Sequence, residues 1–365
     1  FYSWHIYSPN EEMVVFGDYD ANLAKGKEGR ASAVYSKSHL LAGLLDECKR
    51  LGVDVFSGGY VIDIRKDSEG VEVQTSSGKH FKGVFAMDAG GRQSRVARAM
   101  GVNKQRGFYG SVTSVGLEMT NLNLPQPHAL HQPLVKAGDP PMLGFIIPRA
   151  WDHEGEDVWL VMVTNVDPDA DHEALLDEFM NKSRYASWFK GGKIVRKCGC
   201  AGNMYSPIVK PFQDNVLFVG DAGWCQEAEM TGAAMSGFKA GTAVVEAMVD
   251  KQYNEQGVQA YLDWWKTYHV EALDYNVFLK NLYMPILCND EEIDYIFGKI
   301  TDKLQTVLDP YDVPETLGKA LVKVIPVIQQ ERPELIKKMA GFNDLPPDVV
   351  LRKTIRSGFN CAFTT

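Results

Sequence analysis

The segment Val216–Gly241 restricts the fold more than any other stretch of the chain. Val216, Leu217, Phe218 and Val219 form an unbroken apolar run between the polar pair Asp214-Asn215 and Gly220. A short run bounded in this way reads as a buried strand. Gly220 lets the backbone turn close to a bound group, and the Asp221 carboxylate can accept from a hydroxyl. A helix expected from about Gly232 to Met248 would offer unpaired N–H groups and a positive dipole end to an anion. Ser236, Gly237, Ala240, Gly241 and Ala243 keep one side of that helix small, so it can lie close to a sheet or a ligand. The same pattern fits a tightly packed strand–loop–helix that binds nothing, and the residues alone leave both readings open.

Upstream, Gly26–Arg30 reads as a mobile charged loop. Ser38 reads as the N-cap of a helix. Leu40, Leu41, Leu44, Leu45, Cys48 and Leu51 then follow helical spacing until Gly52. Three short strands follow: Val61 to Ile64, Val71 to Val73, and Phe81 to Met87. From about Gly110 to Cys200, strands at Ser111–Met119, Gly144–Ile147 and Val158–Val163, with one helix at Asp171–Met180, suggest a second, mostly antiparallel layer. From Val258 the chain reads as helical, with Trp264, Trp265, Tyr268, Leu273, Phe278 and Leu282 apolar and with Pro326 and Pro333 as punctuation.

Composition narrows the function. The 365 residues suffice for one large or two ordinary domains, and 45% hydrophobic with 23% charged residues excludes a disordered chain. A net charge of -9 argues against a general nucleic-acid binder. None of the 6 cysteines forms CxxC, and Cys198 and Cys200 are too close for a zinc ribbon, so no metal site is expected. This cysteine usage fits a reducing, cytoplasmic compartment. No run approaches the length of about 18 apolar residues that marks a membrane-spanning helix. Phe1–Asn10 lacks the basic and apolar regions of a signal peptide.

The Gly220-Asp221 segment resembles the second FAD signature of the flavoproteins that include the aromatic hydroxylases and the geranylgeranyl reductases. There, GDAA is followed at a distance by P-x-x-G-x-G. The resemblance implies that Gly220 and Asp221 meet the ribityl chain and that Asp221 holds a ribitol hydroxyl. Gly232, Ala233, Ala234 and Met235 would lie beside the pyrimidine edge of the flavin. The sequence departs where Glu227-Ala228-Glu229 replaces the usual proline and Ala234 the second glycine. Ala86-Met-Asp88-Ala-Gly90-Gly-Arg92-Gln-Ser94 is similar to the family's D-A-S-G-R-x-S turn, which implies Asp88 and Gly90 near the phosphates and ribityl chain. Val34–Leu41 resembles a helix start whose basic or amide side chain touches the cofactor, a place held by Lys37. The strand around Val61 matches the one whose backbone reads adenine.

The implied fold is α/β: an FAD-binding Rossmann-like domain of glutathione-reductase type, an antiparallel substrate sheet and a helical C-terminal region. The expected division is 1–109 and 206–252 for FAD, 110–205 for substrate and 253–365 for the helices. Such proteins open with a strand, GxGxxG, a helix and an acidic residue. No GxGxxG occurs in the chain, and family spacing would put that unit roughly sixty residues before Phe1. The expectation is a sequence that begins after its N-terminal βαβ unit.

Gly144–Arg149 is similar to the substrate-domain strand Y-x-W-x-F-P-K of the geranylgeranyl reductases, which implies Phe145 and Arg149 as cavity residues. Trp224 and Cys225, in the loop after Asp221, are further candidates. Packing alone accounts for each of them equally simply. Flavin halogenases carry W-x-W-x-I-P at this place, and Leu143 and Phe145 replace both tryptophans. Asp167–Glu178 imitates a calcium loop, but His172 stands where glycine is needed, so an acidic helix N-terminus is the better reading. His128 and His131 read as flanking a Pro-rich loop, and the Trp264-Trp265 pair as helix packing. Only Cys288 and Cys361 lie near the C-terminus, which excludes an iron–sulfur cluster. The implied activity is an FAD-dependent oxidoreductase passing hydride through the flavin to or from an apolar, isoprenoid-like small molecule. A hydroxylase using NAD(P)H and O2, and a flavin-free carrier of prenylated partners, remain open on the same fold. So do NAD(P)H as electron donor and contact with a membrane surface.

Overall fold

The computed structural model describes residues 1–138, 141–165, 170–223, 230–271, 287–305 and 312–343. In chain order the strands are β1 (Ser3–Tyr7), β2 (Met13–Phe16), β3 (Val61–Lys66), β4 (Val71–Thr75), β5 (His80–Gly83), β6 (Ala86–Asp88), β7 (Phe108–Thr120), β8 (Ala129–Lys136), β9 (Met142–His153), β10 (Glu156–Asn165), β11 (Lys193–Tyr205), β12 (Phe212–Gln213) and β13 (Val216–Phe218). They belong to two compact units. One holds residues 1–46, 111–201 and the described part of 276–359; the other holds 47–110 and the described part of 202–275.

The first unit is built on a seven-stranded sheet in the order β11-β7-β10-β9-β8-β1-β2. β10 is antiparallel to β7 and β9, and β9 to β8, whereas β1 runs parallel to β8. The opening residues, grouped with the FAD segment on sequence, are therefore two strands of the large sheet. Their alternation was hidden because the buried positions include polar Ser3 and His5. β8 was read as loop for a similar reason: it carries His131, Gln132 and Pro133 in succession. One sheet face buries Leu117, Met119, Ile146, Val161 and Val163 against Phe179, Tyr185 and Trp188. Gly144 is obligatory there, since an added Cβ would fall 2.6 Å from the Phe179 ring. The short helix His172–Asp177 is N-capped by Asp171, whose Oδ1 accepts from Ala174 N–H at 3.0 Å. That cap supports the acidic helix start; Asp167 and Asp169 lie outside the described residues. A separate apolar cluster joins Val14, Phe16 and Leu134 to the helices Asp290–Lys299, Asp312–Glu331 and Pro333–Asn343. Pro326 lies within the second of these helices, and Pro333 opens the third.

The second unit contains the meander β3-β4-β5 and a three-stranded sheet β12-β13-β6. The single strand expected from Phe81 to Met87 divides between them. β5 completes the meander, and β6 leaves it to pair in parallel with β13. The break falls after Gly83, whose carbonyl Gly70 approaches so closely that an added Cβ would sit 2.3 Å away. Val216 and Phe218 pack with Val71, Val96, Ala97, Val102 and Ile208, as a strand apolar on both faces requires. The helix Met230–Val249 buries Ser236, Ala240, Ala243 and Ala247, one residue per turn on one side. Gly237 and Gly241, expected on the same close-packed side, face open space instead.

Two local expectations change near the start. Gly26–Gly29 is a turn of 3-10 helix packed on Asn22, not a loop. The helix Lys37–Arg50 begins after Ser36, whose carbonyl accepts from Leu40 N–H at 3.0 Å, and Gly52 follows it with φ +80°. Ser36 thus occupies the cap place assigned to Ser38. None of this helix's residues is buried, and Leu40, Leu41, Leu44 and Leu45 are exposed in spite of their helical spacing.

Candidate functional site

Two of the sequence-predicted turns meet at one sheet end. β6 and β13 run parallel in the register Val216↔Ala86, Leu217↔Met87 and Phe218↔Asp88, and Val219 N–H extends the pairing to Asp88 O at 3.0 Å. Their carboxyl ends therefore lie side by side. The turn Gly91–Gln93 packs on the turn Gly220–Ala222. In open α/β sheets, this end of parallel strands is where ligands bind.

The backbone at the end of β13 is shaped by hydrogen bonds and one close ring contact. Gly220 adopts φ +56°, a left-handed conformation that favours glycine. Its N–H donates to Ser236 Oγ at 3.0 Å, and Tyr261 OH donates to Phe218 O at 2.7 Å. Ile208 N–H donates to Gly223 O at 3.0 Å, and Trp265 Nε1–H to Ile208 O at 2.7 Å. Gly223 rests on the Trp265 ring, where a Cβ would fall 2.5 Å from a ring carbon. Trp265 is thus a packing residue, as expected. Asp221 is half-buried on the turn, with Gly232 half-buried and Ala233, Ala234 and Met235 exposed at the following helix start. Among the described residues, nothing lies within 4 Å of a Cβ placed on Gly237 or Gly241 farther along that helix.

Asp88 plays a different part from Asp221. It is buried, with Oδ1 accepting from Gly90 N–H at 2.9 Å and Oδ2 from Ser94 Oγ–H. Ser94 Oγ in turn caps the helix Arg95–Ala99 by accepting from Ala97 N–H at 3.0 Å. Gly90 must be glycine because a Cβ would stand 2.9 Å from Asp88 Oδ1. The Asp88 carboxylate therefore moulds the turn from inside. A cavity of about 620 Å³ opens beside it, lined by Val61, Ile64, Val73, Asp88, Gly90 and Val96. Arg95 lies over the Tyr60 ring at 4.3 Å from the centroid, and both residues line this cavity. The structure thus gathers Val61, Asp88 and Gly90 around one space, and Arg95 was not expected there.

The other predicted residues fall elsewhere. Lys37 is exposed and belongs to the first unit, as do Phe145 and Arg149 on β9. Arg149 is not an isolated cation: its Nε lies 2.9 Å from Oε1 of Glu118. Trp224 and Cys225 lie outside the described residues. Sequence reading also missed a buried polar chain on β1 and β8. His131 Nε2–H donates to Gln126 O at 2.9 Å, which leaves Nδ1 to accept from Tyr7 OH at 2.8 Å. His5 Nδ1–H then donates to Tyr7 Oη at 3.3 Å, and Ser3 Oγ–H to His5 Nε2 at 2.7 Å. Burial lowers the pKa of both histidines to about 4. Period-two spacing of Ser3, His5 and Tyr7 was the available signal.

No family model matches the chain. It is 23% identical over 296 residues to the digeranylgeranylglycerophospholipid reductase of Methanococcus vannielii, across 78% of this chain and 70% of that protein. Among solved structures, it is similar to a geranylgeranyl bacteriochlorophyll reductase-like protein from Thermoplasma acidophilum. That match has a TM-score of 0.66 and 16% identity, and covers 93% of this chain and 82% of the other. The chain has the fold of the geranylgeranyl-reductase-like flavoproteins. The same fold extends to halogenase PltM, solved in complex with phloroglucinol and FAD, at a TM-score of 0.58 and 12% identity over 94% of this chain and 69% of that one.

Proposed function

We propose that the protein is an FAD-dependent oxidoreductase that acts on an apolar, isoprenoid-like molecule. The observation that carries this reading is the side-by-side placement of the Asp88–Ser94 and Gly220–Ala222 turns at the carboxyl ends of parallel strands. The residues present fit the cofactor. The cavity beside Val61 suits an adenosine, and the uncovered Gly/Ala face of the Met230–Val249 helix suits a planar ring. Asp221 would hold a ribityl hydroxyl, Gly90 and Gly91 would bring backbone close to it, and Gly232 to Met235 would flank the ring. When bound, FAD supplies hydride transfer. The M. vannielii relative, named for a geranylgeranyl lipid, supports the substrate class, and Phe145 is assigned to the substrate's apolar chain. Leu143 and Phe145 in place of two tryptophans favour reduction over halogenation.

The experiment is titration with FAD, followed by flavin absorption and fluorescence. Asp221→Ala should weaken binding by about 1–3 kcal/mol through loss of a buried hydrogen bond. Asp214→Ala, in the turn between β12 and β13, should leave it unchanged. Equal affinities in the two variants would remove the assignment.

A further inference from the structure

The second unit holds another cavity, at the amino end of β13, away from the Gly220 turn. It measures about 580 Å³, and Asn215, the residue before β13, stands in its wall. β3 runs between the two cavities. Val61, its first residue, lines the one beside Asp88, and Lys66, its last, lines this one. Five residues of extended chain span about 16 Å, so the cavities lie at opposite ends of β3. Buried Val102, Ile208 and Phe212 form the inner wall, while exposed Lys66, Lys210, Gln213 and Asn254 stand round the mouth.

The charges of the wall favour an anion. Arg106 is held in place: its Nε–H donates to Ser206 O at 2.6 Å and its Nη1–H to Asn103 Oδ1 at 3.1 Å, and the guanidinium lies over the Tyr205 ring. Lys210 Nζ meets Glu255 Oε2 at 2.9 Å, whereas Lys66 makes no ion pair among the described residues. Lys66, Arg106 and Lys210 against Asp214 and Glu255 leave one positive charge, on a chain whose net charge is -9. Such a local excess attracts anions. The amides are also poised for a ligand. Asn215, 4% exposed, donates Nδ2–H to Val84 O at 3.0 Å and to Tyr253 O at 2.9 Å. Its Oδ1 is then a buried acceptor with no donor among the described residues, which is rare in folded proteins. Gln213 uses its Nε2–H on Met100 O at 3.4 Å, and Asn254 uses its Oδ1 on Gly257 N–H at 3.3 Å. Among the described residues, Gln213 Oε1 and Asn254 Nδ2 remain without partners, one acceptor and one donor at the mouth.

We infer that this cavity binds an adenosine phosphate: the base lies against Val102, Ile208 and Phe212 with its edge on Gln213 and Asn254, and the phosphate meets Lys66 and Arg106. Apolar side chains give a flat base its surface, and a carboxamide acceptor and donor match the N6 and N7 edge of adenine. A lysine and a fixed guanidinium are the usual partners of phosphate. Asn215 Oδ1 suits a donating hydroxyl of the sugar. The volume is that of a small-molecule site and far exceeds a lone phosphate. The same chemistry occurs in a free mononucleotide and in the adenylate half of a nicotinamide dinucleotide. The inference does not rest on the flavin reading, which uses the cavity beside Val61.

The test is calorimetric titration with AMP in the presence of saturating FAD, so that the cavity beside Val61 is already filled. Saturable binding is expected, at least tenfold tighter than that of adenosine or of inorganic phosphate. Lys66→Gln should weaken it about tenfold, roughly the loss of one charge-assisted hydrogen bond. Asn254→Ala should weaken AMP more than inorganic phosphate, because it removes a contact to the base. Both side chains are exposed, so both variants should fold. NADH and NADPH in place of AMP identify the source: tighter binding than AMP assigns the site to a dinucleotide, weaker binding to a free mononucleotide, and either keeps the inference. Absence of AMP binding, affinity equal to that of adenosine and inorganic phosphate, or unchanged binding in both variants overturns it. AMP that binds only without FAD and is displaced by it belongs to the cavity beside Val61, which also overturns it. A protein that ignores FAD yet binds AMP through Lys66 loses the flavin reading and keeps this site; a yellow protein that ignores AMP does the reverse.

Discussion

The chain Ser3–His5–Tyr7–His131–Gln126 holds both imidazoles neutral, each with one nitrogen donating and the other accepting. Burial lowers both histidines to about 4, whereas an unfolded histidine titrates near 6.5. Between those values the unfolded chain binds more protons than the folded one, so stability falls as pH drops from about 6.5 toward 4. His269, packed on Trp264 and Trp265 at ring distances of 5.0 and 4.4 Å, is lowered to about 4 as well and adds to the same slope. Chemical unfolding at pH 7 and pH 5 should show this loss, and His131→Gln should make it smaller even if the variant is less stable throughout. An unchanged pH slope in His131→Gln would show that the chain does not carry the effect. At this scale the sequence revealed glycines and acids better than buried polar groups. Gly220 and Asp221 stand out beside an apolar run, but a histidine inside a strand looks like a break in its pattern. Glu118 was invisible for the same reason, because its partner Arg149 is 31 residues away.

Among the elements, the strand–turn–helix around β13 was the most legible, because a fully apolar strand and a one-sided stripe of small residues each have a recognisable period. The strand β6 was harder. It continues β5 in sequence, and only the close approach of Gly70 to Gly83 shows where one sheet ends and another begins. Gly223 links these elements by resting on Trp265, whose indole N–H holds the carbonyl of Ile208. Gly223→Ala should force the indole aside and cost about 1–3 kcal/mol, the usual penalty of overpacking. A urea transition at the wild-type midpoint would refute that packing role. The substitution should also weaken FAD binding, since Gly223 ends the turn that carries Asp221.

At the scale of the whole chain, the sequence suggested the kinds of layers but not how its segments are shared between them. The parallel pairing of β1 with β8 joins residues about 125 positions apart, and no local pattern records such a contact. The distribution of exposed apolar residues is also a property of the whole chain. Leu40, Leu41, Leu44 and Leu45 on one helix, then Val53, Val55 and Phe56, are exposed, as is Met87 on β6 at an edge of its sheet. Neighbouring leucines exposed on one helix are apolar surface of a kind that soluble monomers seldom leave uncovered, and a strand at a sheet edge presents unpaired backbone groups. The protein should therefore self-associate as concentration rises, in spite of the net charge of -9. Replacing Leu41 and Leu44 by Gln keeps the charge and nearly the helix propensity while removing apolar area from an already exposed face. That double variant should have the wild-type melting temperature and markedly less association in sedimentation velocity. Because apolar contact drives it, association of the parent chain should persist or strengthen in sulfate. A parent chain that stays monomeric, or a double variant that associates equally, would show that these leucines do not form an adhesive face.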